Sequence, residues 1–138
     1  VERRYLALVG GRLASRTGTI DAPIGRAPKR RTRMAVAGAA SREARTHFEV
    51  LELLPRESYA EARLETGRTH QIRAHFAAIG HPITGDSTYG GAARYGLRRQ
   101  FLHAYRLAFR HPRTGAALDF TSPLPTDLAG ALEAAHAK

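Results

Sequence analysis

Apolar residues run through most of the chain in short continuous or alternating stretches, and helical periodicity is confined to two places. Residues 5–11, YLALVGG, read as a short buried strand closed by a Gly-Gly turn. Residues 34–38, MAVAG, form a weak strand. Residues 44–54 carry Phe48, Val50 and Leu54 on one face and Leu51 and Leu53 on the other, which predicts a mostly buried strand. A PRES turn follows, and the alternation over 59–65 makes that stretch the antiparallel partner. From about residue 69 the period changes. Ile72, His75, Phe76 and Ile79 fall at i, i+3, i+4 and i+7, so Ile72, Phe76 and Ile79 are expected to face the core of a helix. Gly80 ends that helix and Pro82 prevents its resumption. Residues 85–99 form a glycine- and arginine-rich loop. Residues 101–109 and 116–123 are strands joined by an HPRTG turn, and Thr126 caps a final helix. This order predicts one α+β domain, a mostly antiparallel mixed sheet with flanking helices.

Charge changes this picture at one point. The chain has 138 residues and a formal charge of +10, and Lys29 and Lys138 are its only lysines among 22 basic residues. Arginine's planar fork matches phosphate oxygens, so the excess charge points to a polyanionic partner. Residues 22–33, APIGRAPKRRTR, hold two prolines and five of the basic residues and are expected to form a surface loop that touches phosphates, with Arg30 and Arg31 at its centre. There are no cysteines, which excludes disulfides and cysteine-based zinc sites and fits a reducing cytoplasm. No apolar run approaches the ~20 residues of a membrane span.

The densest candidate chemistry lies in residues 64–86, LETGRTHQIRAHFAAIGHPITGD. Arg73 sits about 100° from Ile72 on the helix wheel, at the shoulder of the core face, with His70 further round on the same side. A half-buried guanidinium needs an acidic or carbonyl partner. Thr69 and the free N–H groups at the helix start also favour an anion. The pattern leaves two readings equal: a binding site, or a structural ion pair from Arg73 to Glu61 or Glu65. His70 and His75 are five apart, a poor metal pair, and no HExxH motif exists. The GHPITGDSTYGG loop matches neither a P-loop nor a dinucleotide fingerprint.

Residues 64–90 resemble a long signature of the RluA-type pseudouridine synthases, which isomerise uridine in structured RNA such as ribosomal or transfer RNA. YLALVGG, GTIDAPIGR, ARTHFEVLE, LHAYRLAFRHPRTG and FTSPLPTDL follow in the family's order. The resemblance implies an Arg at Arg73 that pairs with the catalytic aspartate. It also implies a Tyr at Tyr5 that stacks on the target base and takes part in a later proton removal, and an apolar residue at Leu102 against the base. Arg68, Thr69, His70 and Gln71 would build the turn and contacts around them. The implied chemistry needs no cofactor and no metal, and the target base would be flipped out of its stack. The family's aspartate lies in a segment like HRLDxxTSG upstream of the Tyr5 strand. The four aspartates here, Asp21, Asp86, Asp119 and Asp127, have no such context, and Asp86 is expected to serve the loop. Residues 1–138 are therefore expected to be the C-terminal portion of a synthase catalytic domain, inactive alone. The competing expectations are a non-catalytic RNA-binding module derived from a synthase and a generic basic protein. An incomplete sheet would leave a strand edge open to association, so the oligomeric state is undetermined.

Overall fold

The computed structural model describes residues 1–27 and 30–137, with Arg30, Arg31 and Thr32 described by their backbone alone. Nine strands and two helices follow in the order β1 (Glu2–Gly10), β2 (Thr17–Asp21), β3 (Ile24–Ala27), β4 (Arg30–Val36), β5 (Ala39–Arg42), β6 (Arg45–Leu53), β7 (Glu57–Leu64), α1 (Gln71–Ala78), β8 (Leu102–Arg110), β9 (Ala117–Thr121) and α2 (Thr126–Ala137). The main sheet has the order β2-β6-β7-β1-β8-β9, and a small sheet has the order β4-β3-β5. Every pairing between these described strands is antiparallel, so the sheet is not mixed. The fold class is α+β, as the order of runs predicts. Among the described residues no helix is long and apolar enough to cross a membrane.

Register decides which side chains share a face. Tyr5 lies opposite Ala62 of β7 and Ala104 of β8, and Ala7 lies opposite Leu102. Directly paired residues point to the same side, so Tyr5 and Leu102 are diagonal neighbours on one face. Phe48 and Val50 of β6 share that face through their pairing with Ala62 and Ala60, and α1 packs against it with Phe76 5.8 Å from Phe48, ring centre to ring centre. Ala7, Leu8, Val9, Ile72, Phe76, Phe101 and Leu128 belong to one buried cluster.

Five details differ from the sequence pattern. The stretch expected to be a loop instead supplies strand: β3 and β4 pair antiparallel, and residues 28 and 29 between them lie outside the described residues. Of the weak strand at 34–38, residues 34–36 are the end of β4, and Ala37 and Gly38 lie beyond it. In β6, Leu51 and Leu53 are each 47% exposed, at the end of the strand where the ladder shifts register between Val50 and Glu52. Ile79 is 40% exposed, since α1 ends at Ala78 and Ile79 leaves the helical path. The helix also begins at Gln71 rather than 69. His70 adopts the left-handed conformation (φ 52°), which no right-handed helix can continue through.

Three buried side chains lock α1 to the sheets. Gln71 Nε2 donates to Thr46 Oγ1 at 2.9 Å and to the Arg45 carbonyl at 2.9 Å. Thr46 Oγ1 lies 2.8 Å from His75 Nδ1, and His75 Nε2 lies 2.9 Å from the Ala22 carbonyl. The carbonyl can only accept, so Nε2 carries the proton and Nδ1 accepts from the threonine. Every group is satisfied with a neutral imidazole. Burial accordingly holds the His75 pKa below its ordinary 6.5, partly opposed by the Ala22 carbonyl and Asp21. The unfolded chain then binds more protons as pH falls below 6.5, so this contribution to stability is complete above that value and is lost on acidification. Thermal unfolding followed against pH should show a decline below about pH 6.5 that is shallower in His75→Gln; identical profiles would rule His75 out as the source.

Candidate active site

A cavity of about 220 Å³ opens where β1, the α1 start and the approach to β8 meet, lined by Tyr5, Leu64, Arg68, His70, Gln71, Ile72, Arg73, Gln100 and Leu102. Tyr5 and Leu102 reach it through the register described above. The other side chains reach it because the 65–70 turn reverses the chain at the end of β7 and the left-handed His70 starts α1 at that point. The volume lies below the ~300–1,000 Å³ of sites for drug-sized ligands, which suits one ring system. Its lining combines aromatic and apolar side chains with two guanidinium groups, and among the described residues no carboxylate lines it.

Arg73 is the better fixed of the two guanidinium groups. Its Nε donates to Asp86 Oδ2 at 2.8 Å and its Nη2 to Asp86 Oδ1 at 2.9 Å. The two side chains are 14% and 1% exposed. This bidentate pair, with burial opposing it, raises the Arg73 pKa, so the guanidinium stays charged. The Glu61 and Glu65 alternatives do not occur. Glu61 takes Arg4 and Tyr105, and Glu65 takes Arg45 and His47, because both acids point away from the α1 face or lie at the strand edge. Asp86 sits in the loop after α1, where a left-handed Gly85 (φ 83°) and Gly91 turn the chain. A Cβ on Gly91 would lie 1.9 Å from the Ile83 carbonyl oxygen, so that close backbone approach requires glycine.

Tyr89, from the same loop, supports the face of the guanidinium. The Arg73 and Arg33 guanidinium carbons each lie 5.0 Å from its ring centre. Its hydroxyl accepts the Met34 N–H at 2.9 Å and lies 2.9 Å from His70 Nδ1. One buried tyrosine therefore ties β4, His70 and Arg73 together. Burial and the nearby Arg73 charge lower the His70 pKa, with Asp86 acting in the opposite sense, so His70 is neutral near pH 7.

Of the residues singled out in the sequence, Tyr5, Arg68, His70, Gln71, Arg73 and Leu102 come together in the cavity. The Gln71 amide is fully engaged. Its oxygen accepts from Thr66 Oγ1 and from the Arg68 N–H, and its nitrogen holds Arg45 and Thr46, so it shapes the turn. Thr69 is exposed and lines a neighbouring groove instead. Arg30 and Arg31 start β4; their side chains lie outside the described residues. Three participants escape sequence periodicity: Gln100, Tyr89, and Asp86 as the partner of Arg73. Asp86 is 13 residues from Arg73, beyond the reach of any helical repeat. The only local sign was the glycine spacing around it.

The model of a family described as RNA pseudouridylate synthase matches residues 1–78. Over 97% of its length the chain is 49% identical to the ribosomal large subunit pseudouridine synthase D of Nitrosomonas europaea, covering 41% of that protein. An uncharacterized RNA pseudouridine synthase of Chloroflexus aurantiacus is 54% identical over 90% of the chain and 39% of the relative. The chain thus spans roughly two-fifths of the relatives' length. Among solved structures, human RNA pseudouridylate synthase domain containing 1 superposes with a TM-score of 0.78 at 32% identity, over 90% of this chain and 55% of that one. With the family model covering more than half of its residues, the chain belongs to the RNA pseudouridylate synthase family.

Proposed function

We propose that residues 1–138 are the C-terminal portion of the catalytic domain of an enzyme that isomerises uridine to pseudouridine in structured cytoplasmic RNA, ribosomal or transfer. The observation that carries this is the joining of Tyr5, Leu102 and Arg73 around one cavity of single-ring size. A flipped uracil would stack on Tyr5 and pack against Leu102, with its polar edge toward Arg73. The reaction breaks the N1–C1′ bond, turns the base and forms a C5–C1′ bond; the proton on C5 then leaves, with Tyr5 placed to assist, and N1 takes up a proton, so the product is an isomer of the substrate. Atoms and electrons balance without a cofactor or a metal.

The aspartate of this chemistry is supplied by a segment outside the 138 residues. All four aspartates are bound to arginines, Asp21 to Arg45, Asp86 to Arg73, Asp119 to Arg106 and Asp127 to Arg99, and none lines the cavity. Arg73 has room for a second carboxylate. Asp86 occupies the side-on Nε/Nη2 edge, and Nη1 has no partner among the described residues, so the end-on edge is left for the incoming acid. Asp86 is then the residue that aims Arg73, and the catalytic aspartate is the residue Arg73 aims at.

The cavity's lack of a carboxylate equally favours a second reading, a non-catalytic module that binds RNA through its charge. A tritium-release or mass-based pseudouridine assay on ribosomal and transfer RNA separates the two. The chain is compared alone and as part of a longer protein with an HRLD-type segment. Activity in the longer form only is expected. Activity of the 138 residues alone would place the catalytic acid among the four aspartates and overturn the proposal, and no activity in either form would favour the binding module.

A further inference from the structure

We propose that the groove between the 67–69 turn and the small sheet holds the sugar-phosphate backbone of the RNA strand next to the uridine in the cavity. This rests on the synthase reading above. The groove, about 430 Å³, is lined by Arg26, Arg42, Arg68 and Thr69 together with small and apolar residues of the small sheet. No carboxylate lines it. Arg68 lines both the groove and the cavity, so the two spaces are adjacent across a single side chain. A base inserted in the cavity leaves its own backbone at the cavity mouth, and the groove continues from there.

The distribution of ion pairs supports this direction for the strand. The chain is strongly basic, and part of its arginine is already neutralised within the fold. Arg4, Arg45, Arg99 and Arg106 are each bound to one or more acids. An arginine already paired gives up little on meeting a phosphate, because its counter-charge is part of the protein. Arg42 and Arg68 have no carboxylate within ion-pair distance among the described residues, and Arg68 Nε is steadied by the Glu43 carbonyl at 2.7 Å. Ala40, which also lines the groove, is held in the left-handed region (φ 53°), a conformation that costs an alanine energy and that recurs at functional sites. Thr69 adds a neutral hydroxyl donor of the kind that fixes phosphate register. The groove thus gives an explicit role to Thr69, which the cavity does not.

The test is the salt dependence of binding to a short fluorescent uridine-rich RNA, followed by anisotropy. Arg42→Gln is compared with Arg113→Gln, an equal loss of charge at the exposed β8–β9 turn, and with Arg42→Lys. Loss of one phosphate contact should lower the slope of log K against log salt by about 0.7 for single-stranded RNA. That decrease is expected in Arg42→Gln only, with Arg42→Lys restoring it. Thr69→Val should weaken binding with the slope unchanged. Equal slopes for Arg42→Gln and Arg113→Gln would overturn the groove while leaving the synthase reading intact. Absence of RNA binding by the unmodified chain would overturn both. Displacement of the RNA by polyglutamate as effectively as by unlabelled RNA would show a generic anion surface and also overturn the proposal.

Discussion

Asp86→Ala should destabilise the fold by about 3–5 kcal/mol, the loss expected when one member of a buried ion pair is removed. Asp86 is 1% exposed and Arg73 14%, so the abandoned guanidinium stays largely out of water with two donors unmatched. The effect should spread beyond the pair. Arg73 stacks on Tyr89, and Tyr89 holds β4 through the Met34 N–H, so the small sheet should loosen together with the loop. Arg73→Ala should be damaging in a similar way, since it strands a carboxylate that is more deeply buried than its partner. An apolar pair, Arg73→Met with Asp86→Leu, should recover much of the loss, because it removes both charges from the interior. Urea unfolding of the four proteins measures this. A loss below about 1 kcal/mol for Asp86→Ala, typical of a surface pair, would mean that Arg73 simply turns outward to solvent.

Arg73→Lys separates this structural duty from the chemical one proposed for it. An ammonium keeps the charge and can still approach Asp86, but it cannot hold one carboxylate side-on and present a second planar edge to another. In a form of the protein that turns over RNA, kcat is expected to fall by about 10²–10³-fold, the scale of losing one preorganised electrostatic contact, with KM little changed. Stability should fall less than in Arg73→Ala. A raised KM with an unaltered kcat would instead make Arg73 a substrate-binding group. Single-turnover kinetics on the same RNA distinguishes the two.

Much of this architecture can be read from local pattern. The central strand β1, the β6–β7 hairpin, α1, the β8–β9 hairpin and α2 all carry the period of the element they form, and Gly80 and the HPRTG turn mark their ends. Pattern fails where the determining contact is not local. The Pro- and Arg-rich stretch at 22–33 lacks the alternation of a strand, yet it forms β3 and part of β4 because Ile24, Met34 and Tyr89 close a second small core with Ala74 of α1. Leu51 and Leu53 look buried by composition and are exposed at the end of β6, where a register shift that its own residues do not show interrupts the ladder.

The candidate site divides in the same way. The sequence by itself determined that a basic, half-buried Arg73 follows a tight turn and must have an anionic or carbonyl partner, since the helical period and the cost of an unpaired guanidinium are both local properties. Resemblance to a known signature added Tyr5 and Leu102. Only the tertiary structure decided that the partner is Asp86 rather than Glu61 or Glu65, that Tyr89 backs the guanidinium, and that Thr69 turns away from the cavity. Those outcomes depend on strand register, on glycine turns that fold the loop after α1 back over the helix, and on which face of the sheet α1 covers. Each is a relation between elements, and no single element's spacing contains it.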